Sequence, residues 1–200
     1  MPYPTFFEFV TLMAFMYFES KKDLDFVVLE VGIGGLLDCT NIVTPLLSVI
    51  SNVSFDHMNV LGNTLEEIAK NKLGIVKENK TLITIDNPLL NKIFEVDCES
   101  KNAELILVKK ENIKDINFVD GKMTFSYKNF DVESKMIGYH QAENISVALE
   151  VINKLEMLKE INVSNDSKKN GIYKTFWPGR FQIVNKEPLI IIDGAHNIDG

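Results

Sequence analysis

The sequence predicts an α/β protein with a largely parallel central sheet flanked by helices, a small antiparallel meander, and the first strands of a further α/β domain. Helix-like and strand-like segments alternate along most of the chain, which favours parallel strands. Residues 116–137 instead alternate apolar and polar side chains, and Asp120-Gly121 and Lys128-Asn129 provide turns typical of hairpins. Trp177-Pro178-Gly179 then separates this region from two short apolar runs. We therefore expect one domain at residues 1–176 and the start of a second domain at residues 177–200.

Four helices are predicted from their caps and from the spacing of apolar residues. In a capping box, Ser or Thr is followed three residues later by Glu, and the two side chains satisfy free backbone N–H groups. Such boxes begin at Thr5 and Thr64, and Asn87-Pro88 supplies an N-cap followed by proline at the first helical position. The four predicted helices cover residues 6–20, residues 65–77, a stretch after Pro88, and residues 141–158.

The first of these helices is so apolar that we expect it to be buried. It is interrupted by Glu8, no basic residue precedes it, and it is shorter than the roughly 20 residues that span a bilayer. We therefore expect no membrane segment here.

Short apolar runs bounded by polar residues are typical of strands that are buried on both faces of a parallel sheet. Four such runs precede the meander, at residues 26–30, 47–52, 81–85 and 104–108. Two more follow it, at residues 181–184 and 189–192. In open α/β sheets, ligands bind at the carboxyl ends of the strands. We therefore expect the functional residues where these strands end.

The composition narrows the choice of partners and compartment. A formal net charge of −7 argues against nucleic acid, whose phosphates attract a basic face. The two cysteines, Cys39 and Cys98, are too few for a disulfide framework. Reduced thiols fit a cytoplasmic protein, which is what we expect.

Glu30 and His57 follow two neighbouring predicted strands. Glu30 closes the apolar run 26–30, and His57 comes soon after the next strand. A carboxylate and an imidazole at strand ends are suitable ligands for a divalent cation, although Mg²⁺ usually takes oxygen ligands. The same pattern is equally expected without a metal site, if Glu30 only caps a loop and His57 is an ordinary polar residue.

Lys72 lies on the apolar stripe of the helix that Thr64 caps, seven residues after Leu65 and four before Val76. The commoner explanation is a buried aliphatic stem with the ammonium reaching water. The alternative is a lysine in a site, because a buried lysine loses its charge readily and can be paired or chemically modified. Spacing alone favours the first explanation.

Polar residues are concentrated after the last predicted strand, in Asp193-Gly194-Ala195-His196-Asn197. They indicate either a ligand loop or a simple polar turn. The chain contains no GxxxxGK[ST] phosphate loop, and the glycines at 32, 34 and 35 do not form GxGxxG. Neither usual nucleotide-binding motif is therefore present.

Several strings, in the same order, resemble one family, that of folylpolyglutamate synthase and dihydrofolate synthase, a branch of the Mur ligase superfamily. The strings span nearly the whole chain. They are Thr5-Phe6-Phe7-Glu8, Leu29-Glu30-Val31-Gly32-Ile33-Gly34-Gly35, Asp38-Cys39-Thr40-Asn41, Asn52-Val53-Ser54-Phe55-Asp56-His57, Leu61-Gly62-Asn63-Thr64, Lys72-Leu73-Gly74-Ile75-Val76-Lys77, Gly138-Tyr139-His140-Gln141 with Asn144, Trp177-Pro178-Gly179-Arg180, and Asp193-Gly194-Ala195-His196-Asn197.

The resemblance implies a Mur ligase central domain of the P-loop NTPase type and an ATP-dependent ligase that joins L-glutamate to folate or dihydropteroate. It implies ATP and Mg²⁺ as cofactors, no nucleic acid or membrane partner, and a monomer. It also implies roles for individual residues. Glu30 and His57 would be Mg²⁺ ligands, and Lys72, as a carbamylated lysine, and His57 would be catalytic. In the nucleotide site, Asn144 would contact adenine, Asp193 the ribose and Arg180 the phosphates, and His196 would lie near the phosphates.

The chain also departs from the family pattern. Leu36 replaces the usual arginine after the glycine pair, Asn71 replaces a glutamate before the lysine, and Leu73 replaces a small residue. Leucine cannot imitate the bidentate anion binding of arginine. The family's phosphate loop and most of its C-terminal domain are also not found in these 200 residues. We therefore expect a fragment that is inactive by itself.

Two alternatives remain from the sequence. One is a non-catalytic remnant that folds and binds a metal or a partner, which Leu36 favours. The other is a related amino-acid ligase of peptidoglycan synthesis, which the strings around Glu30 and Asp193 favour less than the folate branch.

Overall fold

The computed structural model describes residues 3–195, and within them six α-helices and eight β-strands follow one another along the chain. The helices are α1 (Phe6–Ser20), α2 (Met58–Leu61), α3 (Leu65–Lys72), α4 (Asn91–Ser100), α5 (Tyr139–Met157) and α6 (Asn165–Lys174). The strands are β1 (Leu47–Ile50), β2 (Thr81–Ile85), β3 (Glu104–Val108), β4 (Ile113–Val119), β5 (Lys122–Tyr127), β6 (Phe130–Ser134), β7 (Gln182–Lys186) and β8 (Leu189–Ile192). None of the helices in this described part is long and apolar enough to cross a membrane.

The chain divides into two compact units that are interleaved along the sequence. The first comprises Met1–Ser48, Phe55–Thr81 and Leu89–Glu104, and the second comprises Val49–Ser54, Leu82–Pro88 and Leu105–Gly200. The first unit therefore contains helices α1 to α4, and the second contains most of the strand residues together with α5 and α6. The domain boundary that we predicted between residues 176 and 177 lies within the second unit and does not coincide with a boundary between the two units. It stays a prediction.

Strands β1, β2 and β3 form a parallel sheet in that order. The Glu104 N–H donates to the Lys80 carbonyl at one end of the β2–β3 pair, and the Asp86 N–H donates to the Val108 carbonyl at the other end. All five residues of β2 are buried, as expected for a central strand that is covered on both faces. The predicted α/β class is confirmed.

Strands β4, β5 and β6 form the antiparallel meander that the sequence predicted, with a bulge between Lys114 and Asn117. Tyr127 on β5 is buried, and its hydroxyl donates to Glu150 Oε1 on α5 at 2.7 Å. Burial raises the Tyr127 pKa, and the hydrogen bond to the Glu150 carboxylate raises it further. The phenol therefore stays protonated, and this contact fastens α5 to the meander.

Residues 26–30 do not form the strand that we predicted. No strand is assigned there, and Val28 is 98% exposed. A strand needs a neighbour that satisfies its backbone N–H and C=O groups. None of the described strands of the β1–β2–β3 sheet pairs with this run, so its backbone groups join no ladder.

The prediction for α1 was right about the helix and wrong about its burial. Thr5 and Glu8 form the expected capping box. Thr11 is the only buried residue of the helix, however, and Phe6 is 85% exposed. The described contact of α1 is with the short 3₁₀ helix Cys39–Ile42, where the Cys39 thiol approaches the Thr11 hydroxyl at 3.2 Å. The Phe7 ring also packs against Gly32, and these neighbours cover only part of the helix surface.

Two helix boundaries also differ from the prediction. The capping box at Thr64 is confirmed, but α3 ends at Lys72 and the chain tightens into a 3₁₀ turn at Leu73–Ile75, where the backbone of Leu36 approaches Gly74 closely. Helix α4 begins at Asn91, after a turn at residues 88–90, so Asn87 does not cap it. A proline fits a turn as well as a first helical position, and the sequence did not distinguish them.

Candidate functional site

The glycine loop, defined here as residues 32–36, packs backbone to backbone against the end of α3. The Leu36 N–H donates to the Asn71 carbonyl at 2.9 Å. A Cβ atom added to Gly35 would lie 2.8 Å from the Lys72 carbonyl oxygen, and one added to Gly74 would lie 2.3 Å from the Leu36 Cα. Only glycine permits backbones to approach this closely. The loop that follows Glu30 is therefore fixed against the helix end that carries Lys72.

Asp38 organises the same loop from inside. Its carboxylate accepts hydrogen bonds from the Ile33 N–H at 3.0 Å, the Thr40 N–H at 2.9 Å and the Thr40 hydroxyl. Partial burial acts to raise the Asp38 pKa, but the hydrogen bonds from Thr40 and Ile33 outweigh it and hold the pKa below its usual range. Asp38 is therefore an ionised structural acceptor.

Lys72 is half-buried at the end of α3, between the buried residues Ala69 and Leu73. Burial lowers the pKa of its amine, and the Asp56 carboxylate opposes that shift. At a given pH, a larger fraction of the Lys72 amine is therefore neutral than at an ordinary lysine. Lys70, two residues earlier, is exposed and pairs with Glu66 at 2.8 Å. The two lysines differ in environment although they share one helix.

His57 has a left-handed backbone, with φ of 48° and ψ of 37°. Its carbonyl accepts from the Val60 and Leu61 N–H groups and so begins α2, while its own N–H donates to Asp56 Oδ1 at 2.8 Å. The imidazole is exposed, and its Nε2 lies 3.9 Å from Asp56 Oδ2. A bulky residue in this conformation is strained, and such strain is concentrated at functional positions. Asp56 therefore lies beside His57, and its charge also acts on the Lys72 amine.

Glu30 is exposed at the end of residues 26–30. In the part of the chain that the structure describes, no hydrogen bond or ion pair joins it to His57 or Lys72, and no group of three or more His, Cys, Asp or Glu side chains gathers to hold a metal. These residues do not make a self-contained metal cage. Mg²⁺, however, is commonly held by one or two carboxylates together with waters and substrate phosphates. The donors present fit an ion that arrives with a nucleotide.

Asn144 is exposed near the start of α5 in the second unit. Its Nδ2 donates to Gln141 Oε1 at 3.4 Å, and Gln141 Nε2 lies 3.2 Å from His140 Nε2. These three polar side chains occupy one end of the helix, where Gly138 in a positive-φ conformation is the N-cap. The amides of Gln141 and Asn144 therefore lie together near the start of α5, and the predicted contact of Asn144 with adenine stays a prediction.

Arg180 and Asp193 belong to two turns that the structure joins. Asp193 accepts from the Phe181 N–H and the Ala195 N–H, each at 2.8 Å, and the Gly194 N–H donates to the Gly179 carbonyl at 2.7 Å. The hydrogen bonds from Ala195 and Phe181 lower the Asp193 pKa, and the nearby charges of Arg180 and His140 add to that effect. The remaining lone pairs of the carboxylate can still accept from a ligand.

His196 lies outside the described residues, so its predicted place near the phosphates stays a prediction. The structure brings Lys72 close to Asp56 and brings Asp193 close to Arg180. The convergence of Glu30 with His57 and Lys72 also stays a prediction.

Sequence reasoning gave no role to Asp56 or Asn41, although both lie in the quoted strings. Asp56 is the charged neighbour of Lys72, and Asn41 bonds to both the glycine loop and the end of α3. A usable signal was present for each. Asp56 precedes a candidate ligand directly, and an uncharged amide that follows a glycine-rich loop often fixes the loop's backbone.

Residues 3–152 match the family model described as the Mur ligase middle domain. The chain belongs to this family. It is 34% identical to dihydrofolate synthase/folylpolyglutamate synthase of Bacillus subtilis (strain 168), over 98% of this chain and 47% of that protein. The solved apo form of L. casei FPGS superposes with a TM-score of 0.90 at 29% identity, covering 98% of this chain and 50% of that one.

The folylpolyglutamate synthase of Thermotoga maritima superposes with a TM-score of 0.80 at 35% identity, over 97% of this chain and 45% of its own. The chain therefore spans about half the length of the relatives it matches. The resemblance drawn from the sequence strings is confirmed by these matches.

Proposed function

We propose that the polypeptide containing this chain is an ATP-dependent ligase that joins L-glutamate to folate, to dihydropteroate, or to both. The observation that carries the proposal is the match over 98% of the chain to a protein named dihydrofolate synthase/folylpolyglutamate synthase. Two solved relatives support the substrates: one is a complex of folylpolyglutamate synthase with AMPPCP and folate, and the other is E. coli FolC with DHPP and ADP.

The proposed reaction has two steps. A carboxylate of the pteroate or folyl substrate attacks the γ-phosphorus of ATP, which forms an acyl phosphate and releases ADP. The glutamate amine then attacks the acyl carbon, the amide bond forms, the amine loses a proton, and inorganic phosphate leaves. The first step brings two anions together, so fixed cations and hydrogen-bond donors must offset their repulsion.

In the proposed nucleotide site, Asn144 contacts adenine, Asp193 the ribose, Arg180 the phosphates, and His196 lies near the phosphates. The exposed amide of Asn144 suits a base edge that both donates and accepts. The guanidinium of Arg180 suits phosphate oxygens, which it can bind in a bidentate manner. Asp193 keeps lone pairs for a ribose hydroxyl beside its two backbone contacts.

Glu30 and His57 are the proposed protein ligands of Mg²⁺, and Lys72 is the proposed site of carbamylation. The metal would supply positive charge that neutralises the phosphate oxygens. A neutral lysine amine adds to carbon dioxide, forming an N–C bond and releasing one proton, and the lowered pKa of Lys72 favours the neutral form. The result is a carboxylate at the end of a long side chain, held in place by the rigid end of α3.

The test is a ligation assay on the polypeptide that contains this chain, with ADP release measured in the presence of L-glutamate and either folate or dihydropteroate. Lys72→Arg keeps the charge and length but cannot form a carbamate. We expect it to lower kcat by about 100-fold or more, which is the scale for loss of a catalytic group. Lys70→Arg is the matched control and should leave kcat unchanged, since Lys70 is exposed and paired with Glu66.

Full activity of Lys72→Arg would contradict the role of the lysine. A wild-type protein that releases no ADP with either acceptor would contradict the substrate class and favour the non-catalytic remnant. Labelling with ¹³C-bicarbonate, read by NMR, shows directly whether Lys72 is carbamylated. A monomer in the cytoplasm is the proposed working form, and the two free cysteines fit a reducing compartment.

A further inference from the structure

We propose that Asn41 is a positioning residue that ties the end of α3, and with it Lys72, to the glycine loop. The catalytic meaning of this inference rests on the proposed function, but its geometry does not. Asn41 lies in the first compact unit and is half-buried. No described hydrogen bond joins it to Lys72, so it would act through the backbone and not at the reacting atoms.

The amide of Asn41 bridges two segments that are far apart in sequence. Its Nδ2 donates to the Leu36 carbonyl at 3.1 Å and to the Gly74 carbonyl at 3.1 Å. A primary amide has two N–H donors, so both are used, one on each segment. The side chain thus links the last residue of the glycine loop to the turn that follows Lys72.

Lys77 fixes the orientation of that amide. Its ammonium donates to Asn41 Oδ1 at 2.8 Å and to the Asn41 carbonyl at 3.1 Å. An ammonium group is only a donor, so it requires the amide oxygen on its side and leaves the NH₂ group facing the two carbonyls. The assignment of oxygen and nitrogen in Asn41 is therefore determined by its partners, and the bridge to Leu36 and Gly74 follows from it.

The bridge belongs to a set of four donors that bond carbonyls at the end of α3 and in the 3₁₀ turn that follows it. Each donor comes from a different part of the first unit: the Leu36 N–H bonds the Asn71 carbonyl, Lys101 Nζ bonds Leu73, Asn41 Nδ2 bonds Gly74, and the Ser48 hydroxyl bonds Ile75. Among these four donors, the Asn41 amide also bonds the glycine loop. Its removal would loosen both segments at once.

The consequence for Lys72 follows from its place between the tied residues Asn71 and Leu73. Its carbonyl oxygen also lies against Gly35 of the loop. The half-buried position of its amine and its proximity to Asp56 therefore depend on how tightly the loop and the helix end are held. A looser end would let the amine reach water.

The experiment compares wild type with Asn41→Ala and uses two measurements that need neither ATP nor metal. Hydrogen exchange of the Leu36 amide, followed by NMR, reports the loop–helix contact and should become about tenfold faster once the bridging hydrogen bonds are lost. The second measurement follows Lys72 acylation against pH by mass spectrometry, in buffer free of carbon dioxide. The midpoint of this pH profile should move up towards the pKa of an ordinary lysine. Lys70 is the internal reference.

Asn185→Ala is the control, because the exposed Asn185 amide donates to a backbone carbonyl, that of Glu187, at 2.9 Å in the second unit. It should change neither measurement. Faster exchange at Leu36 with an unchanged Lys72 profile would show that Asn41 is only structural, and no change in either would show that it ties nothing. Both results overturn the proposal.

If Asn41→Ala does not fold, Asn41→Asp keeps the side-chain size and the Lys77 acceptor while it removes the bridging donor. Its Leu36 amide should again exchange faster, and an unchanged exchange rate overturns the proposal. A ligase assay that finds no activity would contradict the proposed function and leave these outcomes untouched.

Discussion

His57 combines a strained backbone with an exposed imidazole that follows directly on Asp56. The left-handed conformation costs an L-residue roughly 1–2 kcal/mol, and histidine tolerates it somewhat better than most residues do. Nothing in the packing of α2 requires an imidazole, since the backbone carbonyl of His57 alone begins that helix. A residue that is unfavourable for stability and unnecessary for packing is best explained by a function of its side chain.

This explanation predicts a difference between His57→Gly and His57→Ala. Both variants lose the imidazole, but only glycine adopts φ of 48° without strain. We expect His57→Gly to be more stable than His57→Ala by about 1 kcal/mol in urea unfolding. Ligase activity should fall equally in both. Equal stabilities would mean that the backbone at residue 57 is not strained.

Asp38 predicts a specific dependence of stability on pH. Its pKa in the folded chain lies below the ordinary value of 3.8, so it stabilises the fold fully above that value and loses this contribution as pH falls through the folded pKa. Asp38→Asn should cost about 1–2 kcal/mol of unfolding free energy near pH 6, the scale of hydrogen bonds to a charged group. The gap to wild type should narrow below pH of about 3.8.

The measurement is urea unfolding of both proteins from pH 6 downwards. Asp131→Asn, on the exposed side of β6, is the control for a general charge effect. A gap that stays constant over the whole pH range would show that Asp38 carries no linked proton.

At the element scale, the contact between α3 and the glycine loop predicts opposite effects of one substitution at two glycines. Gly74→Ala places a methyl group 2.3 Å from the Leu36 Cα and should destabilise the chain by about 2–3 kcal/mol. Gly171→Ala, within α6, meets no atom within 4 Å and should stabilise by roughly 0.5–1 kcal/mol. Thermal unfolding of the two variants tests this, and a similar shift in both would contradict it.

The elements that the sequence predicted well are those whose signal is local. Capping boxes at Thr5 and Thr64 fix two helix starts, because the bonding groups lie within four residues. The turns at residues 120–121 and 128–129 give the meander for the same reason. Residues 26–30 failed because a strand also needs a distant partner, which apolar composition does not reveal.

In the candidate site, too, local signals were predicted and contacts between distant residues were not. The spacing of Lys72 on the stripe of α3 identified a half-buried lysine correctly, since helical periodicity is local. The role of Asn41 depends on carbonyls at residues 36 and 74, which only the fold brings together. The departures at Leu36 and Asn71 likewise become neighbours only in three dimensions, through the hydrogen bond between their backbones.

At the scale of the whole molecule, the 200-residue chain exposes much apolar surface. The exposed large side chains of α1 include Phe6, Phe9, Leu12, Met13 and Met16. Contiguous apolar patches of this kind promote association of a chain in isolation. This chain, which matches the Mur ligase middle domain over residues 3–152, therefore exposes an apolar surface on α1, and the effect of that surface on association can be measured in solution.

We predict that the isolated chain associates in a concentration-dependent way in analytical ultracentrifugation. The triple variant Phe6→Lys, Met13→Lys and Met16→Lys should suppress this association. It should change the unfolding free energy by less than about 0.5 kcal/mol, because these side chains are already exposed. Val119→Lys alters an exposed apolar residue on β4 and should have no effect on association. A wild-type chain that stays monomeric at all concentrations would contradict the prediction.

The approach of Gly74 to Leu36 also limits how this sequence can change in length. Lys72 stands two positions before a residue that admits no Cβ atom. Each residue of an α- or 3₁₀-helical turn rotates the chain by roughly 100–120°, so a single insertion or deletion between the two would rotate the lysine away from Asp56 while the glycine stayed in place. Over evolutionary time, the spacing of this lysine and this glycine should be preserved even where the surrounding residues vary.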